Sequence, residues 1–443
     1  MTLQIPRMNG MNKNEQFFES PRNVPKPIDS EGEEEEDEKG GTQRPKTYLP
    51  KDIAPGEELT PDMSAYEMLH TFRTRASCLS FDILKDRLGA RSGYPVTAYL
   101  VAGTQAQQGK KNSLIVLKAS NLNPPKPTED EENSDEEEDE EEGGDKEVLK
   151  TAEIYHAGAV NRVRICPHVT DTRTFVASWS EKGKVHIWDI APQLTALETE
   201  QESKDVVKIK PFYTFGGHVE EGYGMDWSPT RQGYLLTGDC TRHIHLWTPR
   251  ESDWLVSQQT FSAHGSSVED LQWSPNEDHV FSSCSTDKSI RVWDDRAVAH
   301  KACMITVPNA HDSDVNVINW NRSEPFIVSG GDDGVIKIWD LRKLDSHAAL
   351  FKHHSGPITS VEWHPTDSSV FGASGEDNQV SLWDLGVESS EPLVIDDTEV
   401  PPQLLFIHQG QEEIKELHWH PHIPGVVATT SLDNFNIFKT ISV

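Results

Sequence analysis

The most regular feature of the chain is an apolar–polar alternation that recurs in short bursts. In Ser289-Ile290-Arg291-Val292-Trp293, Ile290 and Val292 alternate with polar neighbours, the period of a strand with one covered face. Turn-forming clusters separate such bursts, as in Gly330-Gly331-Asp332-Asp333-Gly334. Aligning the bursts on tryptophan exposes a repeat. His218, His264, His311 and His354 each stand nine residues before a Trp: Trp227, Trp273, Trp320 and Trp363. A second Trp follows each His by 28 or 29 residues, at Trp247, Trp293, Trp339 and Trp383. Weaker copies run from His156 to Trp188 and from His408 to Phe438, and one lacking the His runs from Leu79 to Leu117. Seven strand-rich units are therefore expected along one chain.

The early His, the late Trp-Asp and spacings of 46, 46 and 44 residues between the closing Trp residues resemble the WD40 family. That resemblance implies four strands per unit and an all-β fold, a seven-bladed propeller over residues 74–443, whose radial closure leaves only short edges. Asp287, Asp333 and Asp377 stand six residues before the closing Trp. With the repeated His they resemble catalytic triads, but in this family such residues form a structural hydrogen-bond network within each blade. His418, His420 and His422 alternate along one strand without a carboxylate or Cys to complete a metal site, and read as a strand running into a turn. No P-loop, GxSxG or HExxH is present, so no catalytic residue, cofactor or metal is expected.

Four segments interrupt the repeat. Residues 1–59 form a polar, Pro-rich extension carrying an acidic run at 29–38, and such a stretch is expected to be disordered. Residues 60–73 carry a helix signal. Thr60 is an N-cap candidate, Pro61 suits the first turn, and Ala65, Tyr66, Leu69 and Phe72 share one helical face. An insertion over 124–149 holds the acidic tract Glu136, Glu137, Glu138, Asp139, Glu140, Glu141 and Glu142, whose like charges keep it extended. A second insertion over 386–407 joins Asp396, Asp397 and Glu399 to a Pro pair and then to Leu404, Phe406 and Ile407.

Charge and composition narrow the function. The chain of 443 residues carries 73 acidic and 41 basic side chains, a net charge of −32. Residues 29–38 contribute eight acids and residues 129–147 fourteen, against one base. This balance disfavours direct nucleic-acid binding and suits a strongly basic protein partner. The apolar stretches are too short for a membrane helix, and the first residues have no apolar core of a secretory signal. Five Cys without a CxxC point to a reducing compartment. Ser30 and Ser134 each precede an acid by three residues, a pattern for phosphorylation by acidophilic kinases.

A helix before blade one and an acidic Pro-Pro loop leading into Leu404-Leu405-Phe406-Ile407-His408 resemble the histone-binding WD-repeat proteins. The Glu-rich tracts, Tyr48-Leu49-Pro50, Cys78-Leu79-Ser80-Phe81-Asp82 and Ala102-Gly103-Thr104-Gln105 resemble, more narrowly, their glutamate-rich relatives. The resemblance implies a nuclear or nucleolar chaperone, with the cytoplasm a second location. Its client would be a basic large-subunit ribosomal protein (the third in the universal numbering), with core histones as further partners. It also implies a client groove using Tyr66, Leu69, Phe72 and Arg73 opposite Asp396, Asp397, Glu399, Leu404, Phe406 and Ile407. A closed propeller needs no second copy, so a monomer is expected. An alternative reading makes the chain a substrate receptor of a cullin–RING ubiquitin ligase. Trp293-Asp294-Asp295-Arg296 and Trp339-Asp340-Leu341-Arg342 fit the WDxR box, with Arg296 and Arg342 as adaptor contacts.

Overall fold

The computed structural model describes residues 60–85, 89–106, 111–125, 146–168, 172–199, 205–387, 393–395 and 398–443, all within one compact unit. They form seven four-stranded antiparallel sheets, set as blades around a channel. The innermost strands are Cys78–Ile83, Val160–Ile165, Met225–Trp227, Val268–Trp273, Val315–Trp320, Ile358–Trp363 and Glu416–Trp419, which head blades one to seven. The seven-bladed expectation and the blade order therefore hold.

The repeated residues hold each blade together. In blade four His264 bonds Ser283 Oγ at 2.6 Å, Trp293 donates to the same oxygen at 2.8 Å, and Asp287 accepts from His264 at 3.0 Å. His218–Thr237–Trp247–Asp239, His311–Ser329–Trp339–Asp333 and His354–Ser381–Trp383–Asp377 repeat the arrangement. Burial opposes ionisation of Asp239, but bonds from His218 and nearby N–H groups hold it down at about 2. Buried polar groups with partners on every side specify a rigid blade, and their repetition gives them a structural role.

Between neighbouring blades lie apolar clusters rich in buried Trp and Phe. Trp179, Trp227 and Trp247 share one, and Phe371 stacks on Trp383 in another. The blades approach closely. A Cβ at Gly103 would overlap the Val160 side chain, and one at Gly330 would overlap that of Ile358, so these strands need glycine.

Residues 60–73 correct the helix expectation. Asp62 caps a short 3-10 turn at Met63–Ala65, and Tyr66–Phe72 is a strand. It pairs with Phe435–Thr440 as the fourth strand of blade seven, with Leu69 opposite Phe438 and Phe72 opposite Phe435. The last repeat supplies only three strands, so its open edge takes the N-terminal segment. That edge offers a full ladder of hydrogen bonds and covers Tyr66, Met68 and Phe72, which outweighs a helical periodicity of one or two turns. Among the described residues the α-helix α1 (Ala191–Glu198) lies between blade two's third and fourth strands. The 386–407 insertion includes a two-stranded ribbon, Leu393–Ile395 with Thr398–Val400, before the fourth strand of blade six at Leu404–His408. The acidic run 29–38, Ser30, Ser134 and Glu136–Glu142 lie outside the described residues, as do Asp396 and Asp397.

Candidate protein-binding site

The innermost strands of successive blades run in the same direction, so residues at one register form a ring around the channel. One ring is Asp82, Arg164, Asp226, Gln272, Asn319, Glu362 and His418, each standing just before the residue that ends its strand's repeat motif. Its acceptors reach across blades. Asp82 takes the Ile165 N–H at 2.7 Å, Asp226 the Trp273 N–H at 2.7 Å, Asn319 the Trp363 N–H at 3.0 Å and Glu362 the Trp419 N–H at 3.2 Å.

A charged network fills the waist of the channel. Glu416, 1 % exposed, pairs with Arg162 and Arg164, each at 2.8 Å, and accepts the Phe81 N–H at 2.7 Å. Burial alone would raise Glu416, but Arg164 and its other cationic neighbours hold it well below the usual carboxylate range. His418 bonds Glu362 at 2.8 Å. Burial would lower it, but Glu362 and Glu416 hold it up at about 10, so it is charged at neutral pH. Asp226 has no such cation at bonding distance, and burial pushes it up to about 8.

The end of the channel where the innermost strands begin is acidic. Glu221, Glu269 and Asp314, from blades three, four and five, stand around its mouth and are half-buried. Burial raises Glu269 most, and the charges of Asp314 and Asp270 add to it against Ser267 and Arg162. Tyr223 is pushed up to about 12 by burial and by Glu221 and Glu269. Asn161 donates to Glu221 at 2.8 Å. Exposed Glu220, Asp312, Asp332, Glu376, Glu412 and Glu413 lie on the loops and turns at this same end. Lys415 is the nearby base paired with Glu376 and Glu413, at 3.9 and 3.1 Å. Carboxylates that raise one another's proton affinity are poised to take up an external cation.

The residues expected to line a side groove divide among three clusters. Tyr66, Leu69 and Phe406 meet in one, with the Tyr66 and Phe406 rings 5.3 Å apart edge to face. Tyr66 also bonds His408 at 2.8 Å, and Asn436 bonds the other ring nitrogen at 3.0 Å. Leu404 and Ile407 pack toward blades five and six, and Phe72 toward blade one. Tyr66, Phe72 and Leu404 are buried, Leu69, Phe406 and Ile407 half-buried, and Arg73 exposed. Glu399 lies in the ribbon, but its side chain is outside the description. The shared helical face is thus replaced by a strand whose two faces serve different clusters. Arg296 and Arg342 are exposed on neighbouring blades, each folded onto its own Trp-Asp carboxylate, Asp294 at 2.6 Å and Asp340 at 2.8 Å. His418 is engaged with Glu362, and His420 accepts the His422 and Ile423 N–H groups in a turn. Among the described residues no cluster suited to a metal ion occurs.

Sequence reasoning missed Glu221, Glu269 and Asp314. A signal existed: Glu221 and Asp314 both stand six residues before the first Trp of their repeats. A column of carboxylates across the aligned units marks one end of the channel.

Comparison with known proteins fits this geometry. A family model described as WD domain, G-beta repeat matches residues 255–294, 302–340 and 346–384. A second, described as histone-binding protein RBBP4 or its CAF1 complex counterpart, matches residues 56–123. Glutamate-rich WD repeat-containing protein 1 of Dictyostelium discoideum is 44 % identical over 424 residues, covering 90 % of this chain and 86 % of that protein. Ribosome assembly protein rrb1 of Schizosaccharomyces pombe is 42 % identical over 437 residues, covering 94 % and 90 %. The chain belongs to the glutamate-rich WD-repeat family. Protein HEAT STRESS TOLERANT DWD 1 of Arabidopsis thaliana is 43 % identical over 421 residues, covering 88 % and 89 %. Within this family member, the histone-binding match spans the strand Tyr66–Phe72 and the first three strands of blade one.

Proposed function

We propose that this glutamate-rich WD-repeat protein is a non-enzymatic chaperone and scaffold for a highly basic client in ribosome assembly. The observation that carries the reading is the carboxylate mouth formed by Glu221, Glu269 and Asp314, where acid side chains gather with an excess of acid over base around them. Lys and Arg side chains of a client neutralise that cluster, and the acidic tract at Glu136–Glu142 adds long-range attraction that speeds encounter. The client class is a newly made large-subunit ribosomal protein, with core histones as further partners. The relative named for ribosome assembly and the histone-binding match over residues 56–123 support both. Leu69, Phe406 and Arg73 on the blade-seven side supply a second contact, together with Asp396, Asp397 and Glu399. The place of action is the nucleus or nucleolus, and the working form a monomer.

Affinity purification of the full chain from RNase-treated cells, followed by mass spectrometry, tests this. Enrichment of one unassembled basic ribosomal protein, free of the rest of the ribosome, is expected. Absence of any basic ribosomal protein or histone overturns the reading. The exposed guanidinium groups of Arg296 and Arg342 favour a second one, docking to a cullin–RING adaptor. An adaptor pull-down unchanged by Arg296→Ala with Arg342→Ala removes it.

A further inference from the structure

The opposite end of the channel, where the innermost strands finish, has a different electrical character. A cavity of about 470 Å³ opens there, walled by Pro167, Pro229 and Pro275 and by the Trp residues that end the strands. Its carboxylates already have donors. Asp82 holds the Ile83 and Ile165 N–H groups, Asp226 that of Trp273, and Asp270 those of Leu271 and Ile318. Glu362 holds His418 and Glu416 holds Arg162 and Arg164.

Two cations at this end are unmatched. Lys85 of blade one and Arg322 of blade five line the same cavity, and both are exposed. Among the described residues neither side chain makes a hydrogen bond or ion pair. They also feel each other across the mouth. Burial, and then the charge of Arg322, pull the Lys85 ammonium below its ordinary value, with Asp82 opposing. Like charges brought together without a counter-ion cost free energy that an anion between them would recover. The wall offers a further donor. Trp227, Trp363 and Trp419 give their indole N–H to carbonyls of the preceding blade, at 3.0, 3.1 and 3.0 Å. The Trp273 indole N–H, also buried, has no acceptor among the described residues.

We infer that this mouth is a docking site for a short acidic segment of a partner protein, one carboxylate of which bridges Lys85 and Arg322. A peptide fits better than a nucleic acid. A net charge of −32 repels a long polyanion, whereas a short segment brings few charges, and its aliphatic groups fit the Pro and Trp walls. Resting on the function proposed above, the two channel ends would then hold partners of opposite sign, a basic client at one and an acidic protein at the other.

The test is fluorescence anisotropy with the full chain and a fluorescein-labelled Leu-Glu-Leu-Glu-Leu peptide. Saturable binding that weakens with salt is expected, as is at least about tenfold weaker binding by Lys85→Glu with Arg322→Glu. The Gln-for-Glu peptide should bind as poorly, and Glu269→Gln at the other end should leave binding unchanged. Lys85→Gln with Arg322→Gln, checked by thermal melting, gives the same ranking if charge reversal disturbs folding. Equal binding by wild type and both double variants, equal binding of the Gln peptide, or no saturable binding overturns the proposal. Displacement of the peptide by an equal concentration of oligothymidylate reassigns the mouth to phosphate and overturns the acidic-peptide assignment. Failure to recover a basic client from cells would leave this result untouched, so the two readings fall separately.

Discussion

The two mouths of the channel are built from the same seven strands and differ in what their charges lack. At the mouth where the strands begin, Glu221, Glu269 and Asp314 repel one another and have too few bases nearby. At the other, every lining carboxylate has a donor, and Lys85 and Arg322 are left over. Between them the waist is balanced, with two arginines on one buried glutamate. A fold that repeats one unit can therefore present two electrically distinct faces, because register sets which end a side chain reaches. The fold supplies the platform, and function lies in the residues that depart from the repeat.

Breaking the waist should have the largest effect. Glu416→Gln leaves two guanidinium groups without their shared carboxylate, and a loss of about 3–5 kcal/mol is expected, measured by urea unfolding. A loss under about 1 kcal/mol would mean the waist does not hold the two ends in register.

The next effect concerns pH. Asp226, at about 8 in the fold against an ordinary 3.8, keeps a proton that the unfolded chain has released above pH 4. Its contribution is fully present below about pH 4 and is lost as pH rises through 8. Asp226→Asn should therefore flatten the decline in stability between pH 4 and 8, seen as thermal midpoints converging with wild type at low pH. His418 loses its contribution as pH rises toward 10, and its slope should survive in that variant.

A smaller change probes the side wall, which belongs to neither mouth. Tyr66→Phe removes the bond to buried His408 and should cost about 1–2 kcal/mol by denaturant unfolding, with client and acidic-peptide affinities unchanged. A change in either affinity would link the blade-seven side to the channel ends. The smallest stability effect is expected for Glu269→Gln, which removes a repelling charge from the acidic mouth. It should leave stability within about 0.5 kcal/mol of wild type or raise it slightly.

Much of the fold was legible in the sequence, because His, Trp and Asp recur at fixed offsets and each blade needs them for the same hydrogen bonds. The strand Tyr66–Phe72 was not. Its residues fit a helical face as well as a strand, and its partner Phe435–Thr440 lies at the other end of the chain, beyond any local signal. The site was less legible still. Glu221, Glu269 and Asp314 belong to separate repeats and to no motif, and closure of the ring brings them together. The opposite mouth was hidden for the same reason, since Lys85 and Arg322 come from blades one and five.

The acidic mouth is tested most directly by measuring the affinity of the full chain for the basic ribosomal protein recovered with it from cells. Wild type would be compared with the Glu221→Gln, Glu269→Gln, Asp314→Asn triple variant at about 0.15 M salt. Binding at least about tenfold weaker, with an unchanged thermal midpoint and a shallower salt dependence, is predicted. Equal affinity and equal salt dependence in a folded triple variant would contradict it.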